Sequence, residues 1–335
     1  MRYCKVIQWG RRNPVDFAAW VLGIDLLDLQ KYALINSWDK NFVLWLECRN
    51  AGKTTLIAIY VMLRSLLIPY HATYLLGNVG SQSKEIFDKM EKIITRRIPS
   101  FGNLNDVFES ELRRDGANST GFKHDPTSFE LRLFNESTVN TLNSDPTNIK
   151  GKRADLVVFD EAGWFSNELF VQAEAFTNQD ENFVLGGTKD MATEPKGFPK
   201  QLLYASSASD TSSEFYKKFR NIGERMLIGD NKYFVVNYDA NMLLSAKADG
   251  EAHDPLISKN LIEKALIEDK ERALREFYNK FSADSFDGQI ISRRDIMQYT
   301  EPYAPILSND TGTRQIVMSW DSARLNDNSV IVIAE

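Results

Sequence analysis

The sequence predicts an α/β protein with a mainly parallel sheet flanked by helices. Short apolar runs of strand length alternate with longer helical stretches, and prolines and polar clusters separate the two kinds of segment. One helix is expected at 53–67, because Pro69 prevents its continuation. The other helices are expected at 83–98, from about 213, and at 257–281 as one or two helices. The expected strands are 42–46, 73–76, 129–134, 138–142, 155–159, 201–205, 233–237, 316–320 and 329–333.

The composition is that of an ordinary globular protein, with 43% hydrophobic and 26% charged residues. A net charge of −6 excludes a general coat of positive charge, although a local basic patch remains compatible with it. The apolar runs are too short to span a membrane, and the first residues lack the pattern of a signal peptide. Two cysteines and three histidines give neither a disulfide framework nor zinc spacing, and Cys48 is expected to be a small buried residue.

The segment from Glu47 to Thr55 follows an expected strand and opens an expected helix, as a phosphate-binding loop does. Backbone N–H groups at a helix start attract phosphate oxygens. Gly52 would let the backbone approach closely, Lys53 would contact the β- and γ-phosphates, and Thr54 would offer its hydroxyl to Mg²⁺. Glu47 stands where the usual motif has its first glycine, so a chance Gly-Lys-Thr-Thr at a helix start is the alternative for this segment alone.

A strongly apolar strand over 156–159 ends in two acids, Asp160 and Glu161. The carboxyl edge of an open α/β sheet is where ligands bind. Asp160 would hold Mg²⁺, and Glu161 would orient and activate the attacking water. An acid that caps a following helix is the alternative. The combination with the upstream loop favours ATP hydrolysis, and the glutamate directly after the aspartate is typical of motor ATPases rather than kinases.

Together these motifs resemble those of bacteriophage large terminases, the enzymes that package DNA into a capsid. The loop 49–55 is similar to the family's glycine-poor phosphate loop, which carries an arginine three residues before the glycine. Leu29-Gln30 resembles its adenine-reading glutamine motif, and the serine-rich segment 206–209 after an apolar strand resembles its coupling motif. The resemblance covers essentially the whole chain.

The resemblance implies a RecA/ASCE-like P-loop NTPase fold and three regions. These are an ATPase core at 1–228, a small lid and linker subdomain at 229–308, and the truncated start of an RNase H-like nuclease domain at 309–335. Asp321, at the end of an expected strand, would be a nuclease ligand for Mg²⁺ or Mn²⁺ in the full-length enzyme only. The sequence ends before further carboxylates of such a site, so we expect no endonuclease activity from these residues alone.

The resemblance also assigns roles within the ATPase core. Arg49 would act as an arginine finger or as a γ-phosphate sensor, alongside the catalytic residues Lys53 and Glu161. Ser206 and Ser207 would couple loss of the γ-phosphate to the parts that grip DNA. The implied nucleotide-binding residues are Gln30, Arg49, Asn50, Ala51, Gly52, Lys53, Thr54 and Thr55.

The family also uses an arginine from a neighbouring subunit, located before the acid strand. Lys150 occupies the place expected for that arginine, and Arg153 follows it, so the assignment stays open between these two residues. Two basic clusters are candidates for contact with DNA phosphates, although a solvated helix face is the favoured account of each cluster. The clusters are Lys89, Lys92, Arg96 and Arg97, and Lys217, Lys218 and Arg220.

The implied function is a motor that hydrolyses ATP with Mg²⁺ and drives double-stranded DNA into a procapsid. Its implied partners are the portal protein and the small terminase subunit, with the chain in a homo-oligomeric ring on the portal or as a monomer in isolation. The implied location is the host cell cytoplasm, transiently at the procapsid portal, with no membrane partner.

Two other functional classes compete with the packaging motor. A helicase-like or DNA-remodelling P-loop ATPase would need a second RecA-like domain, which the sequence does not show. A non-catalytic docking module with a degenerate nucleotide site would not need its chemical groups, whereas Lys53, Thr54, Asp160 and Glu161 are all intact.

Overall fold

The computed structural model describes residues 2–77, 80–95, 107–114, 119–125, 128–142, 149, 151–178, 198–282, 317–321 and 330–334. Contacts divide the chain into two compact units, Met1–Phe286 and Asp287–Glu335. Within the described ranges, no helix is both long and apolar enough to cross a bilayer.

The larger unit is built on one eight-stranded sheet in the order β3-β4-β5-β2-β6-β7-β1-β8. The six strands from β5 to β8 in this order are parallel to one another, while β4 is antiparallel to both β5 and β3. The predicted mainly parallel α/β sheet is therefore confirmed. The strands are β1 (Phe42–Glu47), β2 (Ala72–Gly77), β3 (Phe122–His124), β4 (Phe129–Arg132), β5 (Thr138–Leu142), β6 (Leu156–Asp160), β7 (Gln201–Ser206) and β8 (Tyr233–Tyr238).

Helices connect these strands. Helix α4 has the bounds that the sequence predicts, and it ends where Ile68, directly before Pro69, takes an extended conformation. The strands predicted at 129–134 and 138–142 correspond to β4 and β5, which form an antiparallel hairpin around 135–137. The helices are α1 (Arg2–Arg12), α2 (Pro14–Trp20), α3 (Asp28–Ser37), α4 (Lys53–Leu67), α5 (Gly80–Ile94), α6 (Val107–Ser110), α7 (Asn167–Glu174), α8 (Glu214–Leu227), α9 (Ala240–Leu244), α10 (Lys259–Glu268) and α11 (Lys270–Tyr278).

Two hydrophobic clusters cover the two faces of the sheet. Along β6, Leu156 and Val158 belong to the cluster that contains α4, while Val157 and Phe159 belong to the cluster that contains α7 and α8. Successive side chains of a strand point to opposite faces, so every residue of β6 is buried. Because both faces of β6 are packed, the end of the strand at Asp160 is held in a fixed position.

The region after residue 228 both extends the sheet and adds helices beside it. β8 pairs with β1 up to Glu47↔Tyr238, so the sheet includes a strand that the sequence analysis places in the second region. The helical stretch predicted at 257–281 is two helices, because Asp269 is extended and its side chain caps α11 by accepting from the Arg272 N–H. A short antiparallel ribbon joins β9 (Lys247–Ala248) and β10 (Glu251–Ala252). We refer to residues 239–282 as the lid.

The smaller unit contains two antiparallel strands, β11 (Val317–Asp321) and β12 (Val330–Ala334). They lie within one residue of the two strands that the sequence predicts here. Asp321 is the last residue of β11 and pairs with Val330. Residues 283–308, at the end of the predicted lid and linker subdomain, lie outside the described residues.

Candidate functional site

The loop between β1 and α4 turns sharply because Asn50 and Gly52 have left-handed backbones, with φ of +63° and +83°. Gly52 directly precedes the first turn of α4. A side chain at Gly52 would be strained by this φ, although the nearest atom to its Cβ would be Gln30 Nε2, at 3.7 Å. An uncrowded backbone at the start of a 15-residue helix is suited to binding an anion.

Lys53 joins this loop to the acids at the end of β6. Its Nζ lies 2.7 Å from Glu161 Oε1 and 3.8 Å from Asp160 Oδ1. The Lys53 side chain is only 10% exposed, so the cation is enclosed rather than solvated. The structure therefore brings together two motifs that are 108 positions apart in the sequence.

The register of the sheet explains this convergence. β7 lies between β1 and β6, with Leu46 paired to Ser206 and Asp160 paired to Ala205. The three parallel strands therefore end at the same level. Ser206, at the end of the middle strand, lies between the phosphate-loop strand and the acid strand.

Burial and neighbouring charges shift the pKa values of Asp160 and Lys53. Burial raises the pKa of Asp160 to about 6, although Lys53 partly opposes the shift. For Lys53, burial lowers the pKa, but the charges of Glu161 and Asp160 outweigh it and leave the pKa above its usual value. Lys53 is therefore a cation at neutral pH.

Glu47 is a third carboxyl group near Lys53 and Asp160, and it was not predicted as a site residue from the sequence. It is 2% exposed, and its Oε1 has no hydrogen-bond partner among the described residues. Burial raises the pKa of Glu47 to about 7, Lys53 opposes this shift, and Asp160 adds to it. The sequence feature that could have indicated this role is the presence of Glu47 at the position where the loop motif normally has glycine.

Ser206 contacts the acid pair directly. Its Oγ donates to Glu161 Oε2 at 3.4 Å and accepts from the Gly163 N–H at 3.1 Å. Glu161 itself has a left-handed backbone, with φ of +54°, and a short 3₁₀ turn follows it. A Cβ on Gly163 would lie 2.9 Å from Ser206 Oγ, so this contact needs glycine. The neighbouring Ser207 is half-buried after the end of β7.

Gln30 and Arg49, which the resemblance implies as nucleotide-binding residues, have protein partners in the structure. Gln30 lies beside Gly52, but its Oε1 accepts from the Leu27 N–H at 3.0 Å and so caps α3. The Arg49 guanidinium is bound to α11, where Nη1 donates to Glu276 Oε2 at 2.8 Å. Lys53 is thus the loop cation that faces the acid pair.

The other loop residues are arranged around the backbone turn. Cys48 is buried, as the sequence predicts, and so is Ala51. Asn50 is exposed, while Thr54 and Thr55 are half-buried in the first turn of α4. Hydroxyl and carboxylate oxygens are ligands that Mg²⁺ prefers, so Thr54 and Asp160 have the chemistry to hold it.

The remaining predicted residues lie away from this cluster or outside the described residues. Lys150, Arg96 and Arg97 belong to the undescribed part, and Arg153 is exposed. Each basic residue of the α8 cluster has an acidic partner: Lys217 with Glu214 at 2.6 Å, Arg220 with Glu224 at 3.0 Å, and Lys218 with Glu174. On α5, Lys89 is half-buried and Lys92 is exposed.

Comparison with known proteins shows that the fold of this chain is similar to that of solved large terminases. No protein-family model and no curated protein matches the sequence. The solved large terminase of bacteriophage HK97 aligns with a TM-score of 0.56 and 13% identity over 81% of this chain and 55% of that one. A mutant ATPase domain of the Thermus phage P74-26 large terminase aligns with a TM-score of 0.50 and 14% identity, over 80% of this chain and 99% of that one. This chain thus spans about half the length of the HK97 protein, and it has the P-loop α/β fold of large-terminase ATPase domains.

Proposed function

We propose that the chain is an ATP-hydrolysing motor domain of the large-terminase type. The observation that supports this most strongly is the enclosed contact of Lys53 with Asp160 and Glu161 at the start of α4. A buried lysine, a helix N-terminus and two carboxylates at one sheet edge are the groups that phosphoryl transfer to water requires.

Each group has a distinct role in the proposed reaction. The amides around Gly52 and the Lys53 ammonium would bind the β- and γ-phosphates. Thr54 and Asp160 would hold Mg²⁺, which supplies positive charge against the phosphate oxygens. Glu161 would orient the attacking water and accept its proton.

Ser206 would keep the Glu161 carboxylate in place through the hydrogen bond between them. Because Ser206 ends the strand between the loop and the acids, it would respond to changes on either side. We propose that Ser206 and Ser207 couple loss of the γ-phosphate to the movement that grips DNA.

We also propose a role for this motor in a larger DNA-packaging assembly. Following the resemblance of its motifs to those of large terminases, the motor would move double-stranded DNA into a procapsid, as a ring on the portal protein together with a small terminase subunit. This would take place in the host cytoplasm. In a longer protein, β11 and Asp321 would contribute to a nuclease that uses Mg²⁺ or Mn²⁺.

Phosphate release by purified protein tests the core proposal. Lys53→Ala should abolish ATP turnover, because no other loop cation faces the acid pair among the described residues. Lys247→Ala, an exposed lysine of the lid, is the matched control and should leave turnover unchanged. Unchanged turnover in Lys53→Ala would remove the loop from the mechanism.

A further inference from the structure

Three side chains that can bind a metal ion converge between α5 and the edge strand β3. The ligand atoms of Asp88, Glu91 and His124 all lie within 4.8 Å of one another. His124 Nε2 is 2.9 Å from Glu91 Oε2. Asp88 and Glu91 are three positions apart on α5, so they share one face of the helix. A helix and a strand therefore place one ring nitrogen and two carboxylates around a common point.

This cluster is separate from the candidate nucleotide site. β3 stands at one end of the strand order of the large sheet, whereas β1, which leads into the phosphate loop, stands next to the other end. The cluster also uses none of the residues that the proposed reaction requires. A ligand bound here would therefore be a second ligand of the chain, in addition to any nucleotide.

Aromatic packing fixes the positions of the two elements that carry the cluster. Phe87 of α5 is fully buried, and its ring centroid lies 5.5 Å from that of Phe122 in β3 and 5.5 Å from that of Phe129 in β4. The His124 ring packs edge-to-face on Phe129, with centroids 4.6 Å apart, and lies 5.9 Å from Phe87. The orientation of His124 toward α5 is therefore set by packing as well as by Glu91.

The charges of the cluster favour a bound cation. The Glu91 side chain is only 16% exposed, and Asp88 is half-buried without an ion pair to a described residue. Two carboxylates on one turn of a helix repel each other, and a single histidine can balance the charge of only one of them. A divalent cation bound by all three side chains would balance both carboxylates.

We propose that Asp88, Glu91 and His124 form a binding site for a divalent transition-metal ion of the Zn²⁺ type. Zn²⁺ binds imidazole nitrogen and carboxylate oxygen at about 2.0–2.2 Å, so small side-chain adjustments would bring all three ligand atoms to one ion. Mg²⁺ prefers oxygen ligands alone in an octahedral arrangement, so a site with one imidazole discriminates against it. The bound ion would link α5 to β3, a strand of three residues whose described strand partner is β4.

Calorimetric titration of the full chain with Zn²⁺ tests the site, with excess Mg²⁺ present to occupy the carboxylates near the phosphate loop. The wild type should bind one Zn²⁺ per chain, and His124→Ala should weaken binding by at least about tenfold. Asp88→Asn should weaken it to a similar extent, and this variant keeps the shape of a side chain that forms no ion pair with a described residue. His253→Ala, which removes an exposed histidine of the lid, is the matched control and should leave the affinity unchanged.

Thermal unfolding gives a second measurement. Zn²⁺ at about 100 times its dissociation constant should raise the unfolding midpoint of the wild type by about 4 °C and should not raise that of Asp88→Asn. Equal Zn²⁺ affinity in the wild type and Asp88→Asn, displacement of Zn²⁺ by Mg²⁺, or no stoichiometric binding would overturn the proposal. His124 and Glu91 would then form a simple polar contact between α5 and β3. None of these outcomes depends on ATP hydrolysis.

Discussion

The Lys53 ammonium and the Glu161 carboxylate form a 2.7 Å ion pair that is mostly enclosed by protein. In the proposed reaction these groups serve different partners, since Lys53 contacts phosphate and Glu161 contacts water. The γ-phosphate and the attacking water would therefore meet beside this ion pair. Changes to either residue should separate nucleotide binding from hydrolysis.

Glu161→Gln should retain ATP binding and lose at least about 100-fold in turnover. The amide oxygen can still accept from Lys53, but the amide cannot take a proton from water. Nucleotide affinity and single-turnover phosphate release measure the two effects. Glu251→Gln, an exposed lid residue, is the control. Equal losses of binding and turnover would mean that Glu161 only shapes the site.

Gly163→Ala should lower the free energy of unfolding by about 1–3 kcal/mol, because the new methyl group would press on Ser206 and Ser209. Turnover should fall as Ser206 is displaced from Glu161. Gly223→Ala is a matched control, since nothing lies within 4 Å of its Cβ and it is within α8. That change should be neutral or stabilise by up to about 1 kcal/mol. Denaturant unfolding that ranks the two variants in the opposite order would contradict the contact.

Glu47→Gln should stabilise the protein at alkaline pH. Because the folded pKa of Glu47 is raised from 4.5 to about 7, its contribution favours the folded state below pH 4.5 and is lost as pH rises to about 7. Removing the ionisable group should therefore raise the free energy of unfolding at pH 8 by about 1–3 kcal/mol. The gain should vanish near pH 4.5. Urea unfolding at both pH values measures it, and a pH-independent difference would argue against a buried carboxylate.

Asn279 connects the end of α11 to the sheet through its side chain, and it also adopts the left-handed backbone that ends this helix. It ends α11 with φ of +52°, and its Nδ2 donates to Asn237 Oδ1 at 2.8 Å and to the Tyr238 carbonyl at 3.0 Å. Asn279→Gly keeps the backbone but loses these bonds, at a cost of about 1–2 kcal/mol. Asn279→Ala should cost about 1 kcal/mol more, since alanine disfavours positive φ. Equal stabilities of the two variants, measured by thermal unfolding, would exclude the backbone contribution.

The parts of the fold that follow local rules were predictable from the sequence. Helix α4 is bounded by Gly52 at one end and by Pro69 at the other, and both act through their own backbone restrictions. The apolar run before Asp160 likewise predicts a buried strand with acids at its end. The place of β8 in the main sheet is different, because its pairing with β1 joins residues far apart in the sequence and no local pattern marks it.

Contacts between distant residues were predictable only where two motifs mark them, as with Lys53 and Glu161, and not elsewhere. Arg49 and Glu276 are 227 positions apart, and no local pattern signals that the end of a lid helix meets the phosphate loop. The burial of Glu47 depends in the same way on the strands packed around β1. Its residue type was visible, but its unpartnered oxygen is a property of the folded sheet.

β7 lies between β1 and β6, so the distance between the phosphate loop and the acid pair is set by the backbone hydrogen bonds of these three strands. Leu46 and Asp160 are paired with neighbouring residues of one strand, so the separation of Lys53 and Glu161 depends on backbone hydrogen bonds, which form whatever the side chains are. Very different sequences can therefore form the same sheet, provided that their strands keep the same register. This accounts for a shared architecture at 13% identity.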